Sequence, residues 1–213
     1  TPQQTKYYDA IRKQMAVIAA GAEVTAVNAA SMLNKLLQIS QGAVYTDDRD
    51  VVEFDVDNRV NELLDVIAGT NEKVLVFVPY RHTLEMLEDR VLKAGYTTAT
   101  IHGGVAGNKR ADIIKQFQTE DDPRILIMVP QATAHGITLT RANQVVWWGP
   151  VSSTEIYIQA NARAHRAGQK NCVTVTHLQG SPVERRMYTL LQSKVDLHQA
   201  LVDLYKQEID MKI

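Results

Sequence analysis

Apolar residues change their period twice along the chain, and the changes divide it into three segments. Over the first 55 residues the spacing is mostly helical. Thr1-Pro2 reads as an N-cap followed by proline at the first helical position, and Tyr7, Tyr8, Ile11, Met15 and Ile18 then recur on one face. A second helix, about Val24 to Gln41, turns Leu33, Leu36, Leu37 and Ile39 inward, and Gly42 to Asp55 reads as a short hairpin with polar Thr46 to Asp50 at its turn. From Asp57 the pattern alternates helix with strand. Val60, Leu63, Leu64 and Ile67 predict a helix ended by Gly69, and Lys73 to Pro79 is a continuous apolar run of the kind covered on both faces. There follow a helix from Thr83 to Ala94, a strand at Thr97 to Ile101, a Gly-Gly turn, a helix from Gly107 to Gln118 and a strand at Ile125 to Val129. Gln144 to Trp148, one more helix and Val173 to Leu178 complete the alternation. Such repetition predicts an α/β class with a doubly wound parallel sheet flanked by helices. From Pro182 to about Ile209 the helical period returns, as one amphipathic helix or a pair expected to pack back on the sheet domain. The expected organisation is a helical and hairpin adapter over 1–55, the sheet domain over 56–180 and C-terminal helices over 181–213.

Composition changes this picture little. At 213 residues with 45% hydrophobic side chains, one α/β domain with appendages can close a full core. A formal charge of -1 leaves no global basic excess, so contact with nucleic acid has to be local. The one cysteine, Cys172, adjoins the apolar run Val173-Thr-Val175 and is expected to be buried in a strand. A single thiol excludes an intramolecular disulfide and a cysteine zinc cluster, and fits a reducing compartment. No apolar run has membrane-spanning length and no signal peptide is visible, so no membrane partner is expected. Because the chain opens at Thr1 rather than Met, it is expected to be a piece of something longer.

The candidate chemistry lies in Gln159 to Gln169, reading Gln-Ala-Asn-Ala-Arg-Ala-His-Arg-Ala-Gly-Gln. Ser152, Ser153 or Thr154 can cap a helix whose first turn carries Glu155, and nothing before Gly168 breaks it. Gln159, Arg163 and Arg166 then share one face at i, i+4 and i+7. Taken alone, such a face is either a solvated basic surface or a grip for the charge of a transferring phosphoryl group. The whole string meets every fixed position of Gln-x-x-x-Arg-x-x-Arg-x-Gly-Gln, and so resembles motif VI of the Swi/Snf-type ATPases, a branch of helicase superfamily two. That resemblance implies the second RecA-like lobe of such an ATPase. There Arg163 and Arg166 would act as catalytic arginine fingers, with Gln159 beside them on the nucleotide. Gln169, following the terminating glycine, is expected to bond backbone at the helix end.

Three loops at strand ends extend the resemblance, and open α/β sheets bind ligands at such places. Pro79-Tyr-Arg81-His82 resembles motif IV, which implies that Arg81 and His82 contact a DNA backbone; the residues by themselves also fit simple exposure at a helix start. Ile101-His102-Gly103-Gly104, with Lys109 and Arg110 downstream, resembles the family's Leu-x-Gly-Ser-x turn and adds His102, Gly103 and Gly104 to the DNA side. Pro130 to Leu139 resembles motif V through Ala132, Gly136 and Leu139. It departs from that motif at Pro130, Thr133-Ala134 and Thr138. Thr133 is expected to donate to a DNA phosphate and Gly136 to meet the nucleotide. The Pro2 helix also resembles the Pro-x-Gln-x-x-x-Tyr helix that leaves the first lobe in these ATPases. Trp147 and Trp148 alternate on a strand, which sends one to the core and the other toward a helix. Gly149-Pro150-Val151 replaces the acidic, tryptophan-bearing loop usual in eukaryotic remodellers, and no remodeller insertion is present. A small prokaryotic or viral member is therefore expected, cytoplasmic in a prokaryotic or virus-infected cell, or nuclear if eukaryotic.

The chain lacks a Gly-x-x-x-x-Gly-Lys-Ser/Thr loop and an Asp-Glu pair after a strand, and it shows no metal-ligand cluster. Gly103 to Lys109 has the wrong spacing for a phosphate loop. The resemblance therefore assigns ATP and Mg²⁺ mainly to an N-terminal RecA-like lobe of the same protein, with the backbone of double-stranded DNA as the other partner. The expected function is that of the C-terminal lobe in a DNA-dependent ATPase translocase or helicase, inactive when isolated. A nucleic-acid-binding module without ATPase chemistry is one alternative. An RNA helicase lobe is another, although those carry a Gly-Arg-x-Gly-Arg form, and Gly168-Gln169 after the second arginine favours the duplex-DNA branch.

Overall fold

The computed structural model describes residues 1–21, 26–45, 50–193 and 197–210. The chain divides into two compact units, Asp57–Gly149 with Glu155–Leu178, and Thr1–Val56 with Pro150–Thr154 and Gln179–Ile213.

The first of these units is built on a five-stranded parallel sheet of β3 (Lys73–Phe77), β4 (Thr98–Ile101), β5 (Ile125–Met128), β6 (Ala142–Trp147) and β7 (Thr174–His177). Their order is β4-β5-β3-β6-β7, so the most apolar strand, β3, sits in the centre. Every residue of β3 and β5 is buried, as a strand covered on both faces requires. Helices α3 (Asp57–Ala68), α4 (Arg81–Lys93), α5 (Gly107–Thr119) and α6 (Thr154–Ala164) flank the sheet. They bury Val60, Leu63 and Ile67 from α3 and Leu84, Leu87 and Val91 from α4. From α5 they bury Phe117, and from α6 Tyr157, Ala160 and Ala164. The RecA-like doubly wound architecture read from the sequence is the one observed. Ladder bonds continue past the strands, from Val78 N to Met128 O, Val129 N to Ile101 O and Trp148 N to Phe77 O. The carboxyl ends of β3, β4 and β5 are thereby held level.

Four details differ from the sequence expectation. The 130–139 loop contains a short 3₁₀ helix, Pro130–His135, closed by Gly136 in the left-handed region at φ 68°. Helix α6 stops at Ala164 rather than running on to Gly168, which has a φ of 100°. Cys172 is exposed and precedes β7, because that edge strand begins only at Thr174. Both tryptophans are fully buried, Trp147 donating from Nε1 to Asn161 Oδ1 at 3.0 Å and Trp148 lying 5.3 Å from the Arg59 guanidinium.

The other unit joins the two ends of the chain. Helices α1 (Pro2–Gly21), α2 (Ala26–Gln41), α7 (Pro182–Ser193) and α8 (Leu197–Asp210) pack on one another, α2 against α1, α7 and α8. The sequence assigned the ends to separate segments; here α7 and α8 share a core with α1 and α2. A capping box starts α7: Glu184 Oε2 accepts from Gly180 N at 2.8 Å and Ser181 N at 3.1 Å, with Pro182 in the first turn. The antiparallel pair β1 (Ala43–Tyr45) and β2 (Val51–Glu53) forms the hairpin, and its turn, expected at Thr46 to Asp50, lies outside the described residues at 46–49. The start of the second helix, expected at Val24, likewise lies outside them.

Candidate functional site

Strands β6 and β7 are parallel, so α6 between them runs back along the sheet and delivers its last turn near the amino end of β6. The loop 136–141 leads into that same end. Helix end and loop are bonded along their length. Leu139 N donates to Arg163 O at 2.9 Å, and Gln169 Nε2 donates to Thr140 O at 3.0 Å, Ala142 O at 2.9 Å and Ala164 O at 3.2 Å. These outside donors take the carbonyls that a longer helix would have used internally, which explains the stop at Ala164. The backbone role expected for Gln169 is the one found.

That early stop separates the two arginines. Arg163 remains on α6, half-buried, with its Nε enclosed and without a hydrogen-bond partner among the described residues. Arg166 lies beyond the helix, exposed, and its Nη1 donates to Gly136 O at 3.1 Å, with Ile137 O and Thr138 Oγ1 at 3.4 Å. The single helical face expected for Gln159, Arg163 and Arg166 therefore holds only Gln159 and Arg163. Gln159 donates to Glu155 Oε1 at 2.8 Å, one turn earlier. Gly136 enters through its carbonyl, and its left-handed backbone is what points the loop at Arg166.

The helix is seated by a contact the sequence reading missed. Asn161 lies on the same stripe as buried Tyr157, Ala160 and Ala164, and its Oδ1 receives the Trp147 indole. Tyr157 packs on Trp147 with ring centroids 5.0 Å apart and the planes tilted by 42°, and it shares a 2.9 Å hydrogen bond with His177 Nε2. Burial pushes the Tyr157 phenol up, against a smaller opposing pull from Asn161, and pushes the His177 imidazole down. A polar residue on an otherwise apolar helical stripe was the signal available for Asn161.

The residues expected to contact DNA follow the carboxyl ends of the strands, away from the arginines. His102 Nδ1 accepts from Gly104 N at 3.0 Å, which curls the turn after β4. A Cβ at Gly104 would stand 3.0 Å from His102 Cε1 and 3.5 Å from Arg81 Nη1, so Arg81, His102 and Gly104 meet at one point. Gly103 is exposed beside them, and His82 is half-buried in the first turn of α4. Arg81 is exposed and pairs with Glu85 at 2.8 Å, a contact weak enough to yield to a phosphate. Thr133 does not join this rim. Its side chain is buried and its hydroxyl donates to Pro130 O at 2.7 Å, because the 3₁₀ turn folds that residue inward. The expected contact from Thr133 to a DNA phosphate is therefore corrected.

At the amino ends of the strands a cavity of about 480 Å³ is lined by Lys73, Tyr96, Asp121, Asp122, Arg124 and Arg141, among others. Its charges are largely answered within the fold, Lys73 Nζ by Pro123 O at 2.9 Å and Arg141 by Asp121 at 3.9 Å. Among the described residues no group of three His, Cys, Asp or Glu side chains could hold a metal ion, and no helix is long and apolar enough to cross a membrane.

Residues 57–168 match the helicase conserved C-terminal domain, and the chain belongs to that family. Within it, the similarity is to C-terminal lobes of the Swi/Snf type. Over 155 residues, 72% of this chain, it is 31% identical to the human chromodomain-helicase-DNA-binding protein 6. The C-terminal part of the Fun30 ATPase domain superposes with a TM-score of 0.62 at 28% identity, covering 72% of this chain and 52% of that one. The Sulfolobus solfataricus SWI2/SNF2 ATPase core in complex with double-stranded DNA shares the fold, with a TM-score of 0.68 at 17% identity over 98% of this chain and 45% of that one. The chain spans 6% of the length of the human relative.

Proposed function

We propose that the chain completes, from the C-terminal side, the nucleotide site of a DNA-dependent ATPase translocase of the Swi/Snf type. An N-terminal RecA-like lobe of the same protein holds ATP and Mg²⁺. This chain contributes Arg163 and Arg166 as arginine fingers, with Gln159 and the Gly136 backbone beside them. The observation that carries the reading is the placement of two guanidiniums at one end of α6: Arg163, half-buried on the helix, and Arg166, exposed beyond it, neither paired with a carboxylate among the described residues. Cations held together without a counter-charge suit the charge that develops on a transferring phosphoryl group. Arg166 reaches the same nucleotide by exchanging the oxygens of the 136–138 loop for phosphate oxygens.

Bound ATP draws the lobes together over these arginines, and hydrolysis lets them part. Arg81, His82, His102, Gly103 and Gly104 meanwhile hold the backbone of double-stranded DNA at the carboxyl ends of the strands. Repeated closure with both lobes on the duplex moves the protein along it. The fold is shared with an ATPase core solved in complex with double-stranded DNA, which supports duplex DNA as the partner. The short Gly149-Pro150-Val151 loop supports a small prokaryotic or viral member. The test compares steady-state ATP hydrolysis, with and without duplex DNA, by the full-length protein and by the isolated 213 residues. DNA-stimulated turnover is expected only in the full-length protein. Turnover by the isolated chain, or none by the full-length protein, overturns the proposal.

A further inference from the structure

The loop that ends in β6 and the segment that follows α6 are joined at three successive levels. Arg166 binds Gly136, Ile137 and Thr138; Arg163 O receives Leu139 N; and the Gln169 amide binds Thr140 O and Ala142 O. Only the last level depends on a neutral side chain that gives its donors to both partners, since Gln169 Nε2 also reaches Ala164 O. Its Oε1 accepts from Asn171 N at 3.0 Å, which fixes which end of the amide faces the carbonyls. A side chain so placed does more than cap a helix. It sets how far the loop sits along the helix end, and with that the position of the oxygens on which Arg166 rests and the backbone that carries Arg163.

We infer that Gln169 is a positioning residue: it fixes the register between the Gly136–Ala142 loop and the end of α6, and so aims both arginines. It touches neither nucleotide nor DNA. The link between an exposed arginine and a strand start passes through carbonyl oxygens, which accept and never donate. An isosteric acceptor at position 169 must therefore break the register, while the volume and the neighbouring contacts stay the same.

The test uses the full-length protein carrying Gln169→Glu, with Gln169→Met as a second variant of similar length and no hydrogen-bonding end. Amide hydrogen exchange reads the register directly and does not depend on ATP chemistry. Exchange at Leu139 should quicken about tenfold or more in both variants, the change that loss of a hydrogen bond of this strength implies. Amides of β3 should exchange as in the wild type. For Gln169→Glu the excess should shrink toward about pH 5, as the introduced carboxyl takes up a proton and becomes a donor again; Gln169→Met should show no such recovery. The kinetic arm rests on the function proposed above: kcat should fall about 10- to 100-fold with KM for ATP unchanged, as for catalytic groups displaced but not removed. Unchanged exchange at Leu139 in both variants overturns the inference. So does faster exchange throughout β3, which would make Gln169 a general stability residue. Absence of ATPase activity in the wild type would sink the proposed function and leave the exchange result standing.

Discussion

Replacing Glu208 by alanine should be the most damaging single change in the helical unit. This carboxylate is fully buried on α8. It accepts from Arg186 Nη1 at 2.6 Å and from Tyr8 Oη at 3.0 Å, and Arg12 Nε lies 4.0 Å from its second oxygen. Burial, with Glu208 beside it, pushes the Tyr8 hydroxyl up, so it stays a donor through the alkaline range. Removing one partner of a buried ion pair costs about 3–5 kcal/mol, because the other charge is left unanswered. Two features place the loss at the lower end of that range. Arg12 Nε keeps its 2.9 Å bond to the backbone carbonyl of residue 208, and the Arg186 side chain is 30% exposed and can be hydrated. About 3 kcal/mol, at about 2–4 °C per kcal/mol for a chain of this size, lowers Tm by about 6–12 °C. Thermal unfolding followed by far-UV circular dichroism measures it. Glu208→Gln, which keeps the volume and an acceptor for Tyr8, should fall between the two. A Glu208→Ala protein that melts within about 2 °C of the wild type would refute the view that this network ties the two ends of the chain together.

Arg81→Ala in the full-length protein should weaken duplex binding and reduce the slope of log K against log salt by about 1, whereas Thr133→Val should leave that slope unchanged, since its hydroxyl is turned inward; binding titrations across a salt series decide both. Acid should selectively strain the sheet domain through His177. Its pKa is lowered from the ordinary 6.5 by burial, so the unfolded chain binds its proton first. That contribution to stability is fully present above the ordinary value and is lost as pH falls through the folded one. His177→Gln should flatten the pH dependence of unfolding below about pH 6.5, and an unaltered profile would exclude this histidine as its source.

The sheet was legible because its inner strands β3 and β5 are buried on both faces, and Val74 to Val78 or Ile125 to Val129 can satisfy that pattern in few other ways. The arginine pair was legible as a spacing but not as a geometry. Helical periodicity continues through Arg166, and the helix ends at Ala164 because the Leu139 amide, a long-range donor to Arg163 O, joins the Gln169 side chain there. No local pattern announces the Leu139 amide. Thr133 misled for a related reason, since a hydroxyl in a loop suits a ligand and a 3₁₀ turn equally well, and Pro130 at the head of that turn was the clue to the second. Cys172 lies outside its expected strand because β7 is an edge strand, where an apolar run need not be buried. In the helical unit that unites both chain ends, a buried network of Arg12, Arg186 and Glu208 also joins α1, α7 and α8, and no hydropathy pattern records the pairing of those charged residues.

The most direct measurement is DNA-stimulated ATP turnover by the full-length protein carrying Arg163→Ala, beside its equilibrium affinity for ATP. Arginine fingers contribute about 10³ to 10⁵ in rate. The expected result is turnover lowered by about 10³ or more, with ATP affinity and duplex binding both unchanged, because nucleotide and DNA are held mainly by other groups. Turnover close to that of the wild type would show that Arg163 faces no transferring phosphoryl group, and would contradict the account at its centre.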